Sequence, residues 1–121
     1  MKRIALVVDD NGDMRQAVTD LLLNSKYEVI QAINGEEALQ KIRSLERIDL
    51  LVTDFNMPKI DGAQLIRTVA DERLAVSEII FMSADSIIHG MGSVLKMKLG
   101  GRTKFSTFDK DGSLFTALRK I

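Results

Sequence analysis

The sequence predicts one α/β domain in which five strands and five helices alternate, written (βα)5, around a parallel sheet. The chain has 121 residues, of which 45% are hydrophobic, and this is enough to form one buried core. Short apolar runs of strand length alternate with segments whose apolar residues recur at helical spacing. Because one helix separates each strand from the next, the strands are expected to pair in parallel through right-handed crossovers.

Each strand is predicted from a short apolar or alternating run, and each helix from an apolar face. The strands are expected at residues 4–8, 27–32, 48–53, 79–82 and 103–108. The helices are expected to include residues 14–22, 38–45, 65–70, 87–95 and 114–121. The first, third and fourth strands are apolar on both faces, as in sheets covered by helices on both sides. The fifth alternates like a half-exposed edge strand, and Asn34-Gly35 is predicted to form a turn.

The charge balance and the missing residue types exclude several classes of function. Lys plus Arg and Asp plus Glu both number 17, so there is no basic excess of the kind that nucleic-acid or membrane-surface binders carry. The chain has no cysteine and a single histidine, which excludes disulfides, thiolate metal sites and sites built on several histidines. The apolar run at residues 4–8 is too short for a signal sequence or a membrane span. We therefore expect a cytoplasmic protein without a direct nucleic-acid or membrane partner.

Polar side chains stand where the predicted strands end. Asp9 and Asp10 end the first strand, Asp54 ends the third and Ser83 ends the fourth. Open parallel α/β sheets bind ligands beyond the carboxyl ends of their strands, so these side chains are expected to meet. Three carboxylates gathered there would repel one another unless a cation lay between them. Ligands that are all oxygens favour Mg²⁺ or Mn²⁺, and phosphoryl oxygens can fill the open positions of such an ion.

The same polar residues have a second interpretation as helix caps. Asp, Asn or Ser after a strand commonly accepts hydrogen bonds from the first turn of the next helix. Asn11 or Asp13 could cap the first helix in this way, and Asp85 or Ser86 the fourth. Capping explains a single residue such as Ser83 better than a ligand site does, but the agreement of several strand ends favours a shared site.

Four segments carry a resemblance to a known family, namely VVDDNGDMRQAV, INGEEAL, LLVTDFNMPKIDG and MSAD. Together they are similar to the receiver domain of two-component response regulators, in particular the chemotaxis-type single-domain receivers. The likeness covers nearly the whole chain, so it implies one receiver domain over residues 1–121. It also implies a doubly wound, flavodoxin-like sandwich whose strands lie in the order 2-1-3-4-5.

The resemblance assigns a role to each residue at the strand ends. It implies that Asp54 is the phosphoacceptor, held on a rigid strand for in-line attack. Mg²⁺ is the implied cofactor, with Asp10 and Asp54 as direct ligands and Asp9 acting mainly through water. The backbone carbonyl of Asn56 is the further implied ligand, and Ser83 is the implied switch hydroxyl that moves toward the phosphoryl group.

A phospho-accepting signalling module, rather than an enzyme with an outside substrate, is what the resemblance implies for the whole chain. A sensor histidine kinase or a phosphotransfer protein would donate the phosphoryl group. The surface of the fourth helix, fifth strand and fifth helix would then change, and would meet an effector protein or an output domain or form a homodimer. Asn56 and Asp85 occupy positions at which receivers tune the attack of water, and their polarity predicts a short-lived acyl phosphate.

The fifth strand departs from the family's pattern because it does not end in Lys-Pro, and the only proline is Pro58. Alignment on Phe108 places Ser106 at the lysine position, whereas counting forward from Ser83 brings Lys104 close. Lys104 is therefore the candidate phosphate contact, reaching the site from the face that it shares with Ser106. Without any lysine there, the coupling of phosphorylation to conformational change would be weaker.

Two other functions stay open on the residues alone. The missing Lys-Pro motivates a degenerate receiver that binds a partner without being phosphorylated. The run Asp54-Phe55-Asn56 faintly suggests an aspartate-nucleophile phosphohydrolase, but that nucleophile ends the first strand of a larger, capped fold, and Asp54 ends the third.

The fourth helix is unusual because Gly90 and Gly92 lie inside it, each costing up to about 1 kcal/mol relative to alanine. We expect this helix to be mobile. The alternative is close packing of the helix on the sheet through glycine. His89 is expected to lie exposed on the same helix.

Overall fold

The computed structural model describes residues 2–84 and 88–121, with the side chains of Ile88 and His89 excepted. The strands are β1 (Arg3–Val8), β2 (Tyr27–Ala32), β3 (Leu50–Asp54), β4 (Glu78–Ser83) and β5 (Lys104–Asp109). The helices are α1 (Gly12–Asn24), α2 (Gly35–Ser44), α3 (Gly62–Asp71), α4 (Ile88–Leu99) and α5 (Gly112–Arg119), and a 3-10 turn, Gly100–Arg102, links α4 to β5. Asp85 and Ser86, the predicted caps of the fourth helix, lie outside the described residues, as does the side chain of His89.

The five strands form one parallel sheet in the order β2-β1-β3-β4-β5. The predicted flavodoxin-like (βα)5 fold and its strand order are therefore confirmed. Alternate residues of the central strands point to opposite faces, so each face of the sheet builds its own core. One core joins Leu6, Leu51 and Phe81 to the apolar faces of α2, α3 and α4. The other joins Val7 and Val52 to α1 and α5.

Side-chain caps fix where the helices begin, just beyond the carboxyl ends of the strands. Asn11 Oδ1 accepts a hydrogen bond of 3.0 Å from the backbone N–H of Met14, which confirms Asn11 as the cap of α1. Asn34 caps α2 in the same way through the N–H of Glu37, at 2.8 Å. The predicted Asn34-Gly35 turn is therefore wrong, because Gly35 is already the first helical residue.

Four of the five strands differ from the sequence prediction by one or two residues at a boundary, and only β2 has the predicted bounds. Ile48 was expected inside the third strand, but it forms an isolated bridge with Val76, and β3 begins at Leu50. The fifth strand was expected to end at Phe108, but it ends one residue later, at Asp109. The shift at the end of β5 matters because it changes which residue follows the strand.

Close packing explains one of the two glycines in α4. A Cβ on Gly92 would lie 2.8 Å from the methyl carbon of Thr107 and 3.4 Å from Phe105, so glycine lets the helix approach β5. A Cβ on Gly90 would meet nothing within 4 Å. The packing alternative therefore holds at Gly92, and mobility of α4 stays a prediction. None of the helices in the described part of the chain is long and apolar enough to cross a membrane.

Candidate functional site

Three carboxylates meet at the carboxyl edge of the sheet. Asp54 is the last residue of β3, and Asp9 directly follows β1, the neighbouring strand whose Val8 pairs with Thr53. Asp9 is fully buried and Asp54 is 5% exposed, whereas Asp10 is exposed. One oxygen from each of the three carboxylates lies within 4.8 Å of the others. The structure thus brings together the three carboxylates at which the sequence pattern pointed.

A lysine that the sequence reasoning missed closes this cluster. Lys110 is the first residue after β5, and its Nζ lies 2.9 Å from Oδ2 of Asp9 and 3.2 Å from Oδ1 of Asp54. Only 16% of its side chain is exposed. The positive charge of Lys110 therefore offsets part of the repulsion between these two buried carboxylates.

Lys104 does not reach the site, and that expectation is corrected. It is the first residue of β5, 75% of its side chain is exposed, and its partner is Glu78, at 3.9 Å. Lys110 lies six positions further along the chain, which is about 20 Å at ~3.3 Å per residue of extended strand. Lys104 lies at the amino edge of the sheet, at the end of the strand opposite the carboxylates.

Position along the chain could have identified Lys110 from the sequence. Asp9 follows the last residue of β1, and Lys110 follows the last residue of β5 in the same way. The sequence prediction missed it because the predicted strand ends one residue early and because no proline follows this lysine. In this chain Lys110 is followed by Asp111 and not by proline.

The ionisable groups of the cluster perturb one another. Burial raises the pKa of Asp54 to about 6. The positive charge of Lys110 lowers this pKa, but burial and the negative charge of Asp9 together raise it by more. Burial acts against the charge on Lys110, but the hydrogen bond to Asp9 and the charges of Asp54 and Asp9 together outweigh it and raise its pKa. The lysine is therefore a permanent cation at neutral pH, and Asp54 is mostly ionised there.

The loop after β3 is fastened so that Asp54 keeps its position. The N–H of Phe55 donates to the carbonyl of Met82, and the N–H of Gly62 donates to the carbonyl of Phe55, each at 2.9 Å. A side chain at Gly62 would collide with the backbone carbonyl of Asp54, so glycine is required at this close approach. Asn56, two residues beyond Asp54, is exposed in this loop.

Asp9 is held from both of its oxygens and through its backbone. Its Oδ1 accepts from the N–H of Asn11 at 3.0 Å, while Oδ2 accepts from Lys110. Arg15 donates to the carbonyl oxygen of Asp9 at 2.9 Å and is itself held by Gln31 at 2.8 Å. The contact of Arg15 depends on the folding of α1 against β2, so no local pattern in the sequence indicated it.

Ser83 lies beside the same edge of the sheet. It is the last residue of β4 and is fully buried, one position beyond Met82, which pairs with Asp54. Its carbonyl accepts the backbone N–H of Lys110 at 2.9 Å, so the ends of β4 and β5 are joined next to the carboxylates.

The donor set is suited to a hard divalent cation. The oxygens that the structure brings together are those of the Asp9, Asp10 and Asp54 carboxylates. Oxygen-only sets with few protein carboxylates are typical of Mg²⁺. Since Lys110 already contacts two of the three carboxylates, the exposed Asp10 is the one most available to an ion.

A doubly wound (βα)5 domain with carboxylates and a lysine at the carboxyl edge of its sheet has the features of a receiver-class domain. The family model described as response regulator receiver domain matches residues 5–101, and the chain belongs to this family. The resemblance drawn from the sequence motifs is therefore confirmed.

Relatives of known description support the same assignment. The chain is 37% identical over 82 residues to chemotaxis protein CheY1 of Helicobacter pylori, a match that covers 66% of each chain. It is 32% identical over 102 residues to the two-component response regulator-like PRR37 of Oryza sativa, covering 83% of this chain but only 13% of that protein. The response regulator TrrA of Thermotoga maritima, solved in complex with Mg²⁺-BeF, superposes with a TM-score of 0.74 at 30% identity, covering 99% of this chain and 98% of the other.

Proposed function

We propose that this chain is a phospho-accepting signalling module of a two-component system, in which Asp54 receives a phosphoryl group in the presence of Mg²⁺. The observation that carries the proposal is the placement of Lys110, with Nζ 3.2 Å from Oδ1 of Asp54 beside the cluster of Asp9 and Asp10. This arrangement offers a nucleophile, a fixed cation and oxygen ligands in one place. The Mg²⁺-BeF complex of the similar TrrA supports the same cofactor.

The proposed reaction transfers one phosphoryl group to the Asp54 carboxylate. An oxygen of Asp54 forms a bond to phosphorus while the bond between phosphorus and the donor nitrogen or oxygen breaks. Lys110 offsets the charge that the phosphoryl oxygens add, and the Ser83 hydroxyl donates to one of them. Mg²⁺, when held by Asp9, Asp10, Asp54 and the carbonyl of Asn56, supplies further positive charge. The chain assists its own phosphorylation and dephosphorylation and has no outside substrate.

The proposed output is a change on the surface formed by α4, β5 and α5. Two strands lead from the site to this surface. β4, the neighbour of β5 in the sheet, ends with Ser83, and β5 itself is followed directly by Lys110. Val94 and Met97 of α4 are 59% and 81% exposed, so this helix offers apolar contacts to a partner. A sensor histidine kinase or phosphotransfer protein is the proposed donor. An effector, an output domain or a second copy of the chain is the proposed receiver of the signal.

The extent and location of the module complete the proposal. We place the receiver domain over residues 1–121, because β5 and α5 beyond residue 101 belong to the same sheet and core. The proposed location is the cytoplasm, as expected from the sequence. Polar Asn56, exposed beside Asp54, supports a short-lived acyl phosphate, while Asp85 lies outside the described residues.

The degenerate receiver is the second candidate, but the structure gives less reason to favour it than the sequence did. It rested on the missing Lys-Pro, and Lys110 supplies a lysine at the carboxylates without the proline. No observation on the described residues favours the phosphohydrolase over either receiver.

Phosphorylation from acetyl phosphate tests the proposal. Intact mass is followed with and without Mg²⁺ for the wild type, Asp54→Asn, Lys110→Ala and Lys104→Ala, the last being a matched control at the opposite end of β5. We expect one added phosphoryl group that requires Mg²⁺ and Asp54, a strongly reduced yield for Lys110→Ala, and no change for Lys104→Ala. A folded wild type without any adduct, at any Mg²⁺ concentration, would favour the degenerate receiver.

A further inference from the structure

The backbone around Lys110 is a tight turn at the end of β5. The N–H of Lys110 donates to the carbonyl of Ser83 at 2.9 Å, and the N–H of Asp111 donates to the carbonyl of Asp109 at 2.8 Å. The second bond spans three residues and closes a γ-turn centred on Lys110. The direction in which the lysine side chain leaves the backbone is therefore set by this turn.

The residue after Lys110 anchors the other side of the turn. Oδ1 of Asp111 accepts from the backbone N–H of Ser113 at 2.8 Å and from its hydroxyl at 2.6 Å. These bonds make Asp111 the cap of α5. They also lower the pKa of Asp111, so the cap is ionised at neutral pH. The helix that it starts is fixed to the sheet by Leu114 and Leu118, both fully buried.

Lys110 therefore lies between two fixed points, the last rung of β5 and the first turn of α5. A lysine side chain has about four rotatable bonds and loses much rotamer freedom when it is held in one geometry. When its backbone is held on both sides, Nζ samples fewer positions, and a larger share of them lies within reach of Asp9 and Asp54. Loss of the Asp111 clamp would free one side of the turn and spread Nζ over more positions, even with β5 intact.

We propose that Asp111 is a positioning residue, whose clamp on Ser113 holds the turn that places Lys110 between Asp9 and Asp54. The proposal rests on the proposed function only for its kinetic consequence, since the placement of Lys110 exists before any phosphoryl transfer. In this chain the aspartate does by side-chain hydrogen bonding what a rigid residue after the lysine would do by its own backbone restriction.

The test compares variants at Asp111 with a matched cap elsewhere. Asp111→Ala removes the clamp, Asp111→Gly removes it with a smaller loss of cap stability, and Asp111→Ser restores a capping oxygen. Asn34→Ala removes the cap of α2, on a helix that does not follow Lys110. Each variant is examined by urea unfolding, by the NMR signal of the Lys110 ammonium group without Mg²⁺, and by the KM and maximal rate of phosphorylation from acetyl phosphate.

We expect Asp111→Ala and Asp111→Gly to lose the slowly exchanging Lys110 ammonium signal and to lower the maximal rate five- to tenfold with little change in KM. Asp111→Ser and Asn34→Ala should keep the signal and stay within twofold of the wild-type rate, although Asn34→Ala lowers the urea midpoint as Asp111→Ala does. An unchanged Lys110 signal and rate in folded Asp111→Gly would overturn the proposal and leave Asp111 a simple cap. If the wild type is not phosphorylated at all, the proposed function fails, and the NMR comparison alone still decides the role of Asp111.

Discussion

The two ends of β5 carry lysines whose ion pairs differ sharply in their surroundings. At the carboxyl end, Lys110 has 16% of its side chain exposed and contacts a fully buried Asp9 at 2.9 Å. At the amino end, Lys104 is 75% exposed and lies 3.9 Å from Glu78. Charges withdrawn from water interact strongly and are costly to leave alone, whereas exposed pairs are screened. The same residue type is therefore part of the site at the carboxyl end of β5 and part of the solvated surface at its amino end.

The largest effect should come from removing the buried cation. We expect Lys110→Met to lower the free energy of unfolding by about 3 kcal/mol at pH 7.5 without Mg²⁺, because Asp9 and Asp54 would be left as uncompensated buried carboxylates. Urea unfolding in EDTA measures this. A loss below 0.5 kcal/mol, within the range of an ordinary surface substitution, would show that the cluster is well solvated and that Lys110 is not its counter-ion.

A smaller effect should follow from the ionisation of Asp54. Its pKa is about 6 in the folded chain, above the value near 3.8 of a free carboxyl. The native state therefore binds the proton more tightly, and stability falls as the pH rises toward and through 6. Between pH 5 and pH 7.5 this contribution amounts to about 1.4 kcal/mol of lost stability.

The comparison of wild type with Asp54→Asn separates the contribution of Asp54 to the pH dependence of stability from the contributions of other carboxylates. Urea unfolding at pH 5 and at pH 7.5 in EDTA gives the change in stability for each protein. We expect the wild type to lose about 1.4 kcal/mol more than Asp54→Asn over this interval. Equal slopes would mean that the folded environment leaves Asp54 as it is in the unfolded chain.

Mg²⁺ should offset part of the repulsion at the carboxyl edge and change nothing at the amino edge. At a Mg²⁺ concentration five times its Kd, the free energy of unfolding should rise by about 1 kcal/mol. Asp10→Asn should abolish this gain and leave the metal-free stability nearly unchanged, since Asp10 is exposed. Isothermal titration of both proteins with MgCl₂ gives the Kd, and an unaltered affinity in Asp10→Asn would remove Asp10 from the ligand set.

The smallest effect should come from the exposed lysine. We expect Lys104→Met to change the free energy of unfolding by less than about 0.5 kcal/mol, because its pair with Glu78 is screened by water. The measurement is the one used for Lys110→Met, which makes the two variants a direct pair. A loss comparable to that of Lys110→Met would contradict the distinction between the two ends of β5.

Local patterns predicted most of the fold because each strand and helix depends mainly on its own apolar spacing. The runs at residues 4–8 and 27–32 and the helical faces after them are found where they were expected. Helix starts were less predictable, as Asn34 shows, since one Asn-Gly pair serves a turn and an N-cap equally well. The strand order came from the family resemblance and not from the spacing of apolar residues.

The site was predictable where strand ends carry conspicuous side chains and unpredictable where contacts cross the fold. Asp9, Asp10 and Asp54 follow from the rule that ligands gather beyond carboxyl strand ends. Lys110 was missed because the predicted fifth strand ends one residue early and because counting forward from Ser83 favours Lys104. Arg15 reaches Asp9 only after α1 has packed on the sheet, and no spacing along the chain encodes that contact.

Locating the phosphoryl group on the chain tests the central claim most directly. The wild type is treated with acetyl phosphate and Mg²⁺ and then with borohydride, which reduces an acyl phosphate of aspartate to homoserine. Peptide mass spectrometry then reads which position has changed. Homoserine at position 54, absent without Mg²⁺, is the predicted result. Homoserine at position 9 or 10, or a phosphate left on Ser83, would contradict the assignment of Asp54 as the acceptor that Lys110 faces.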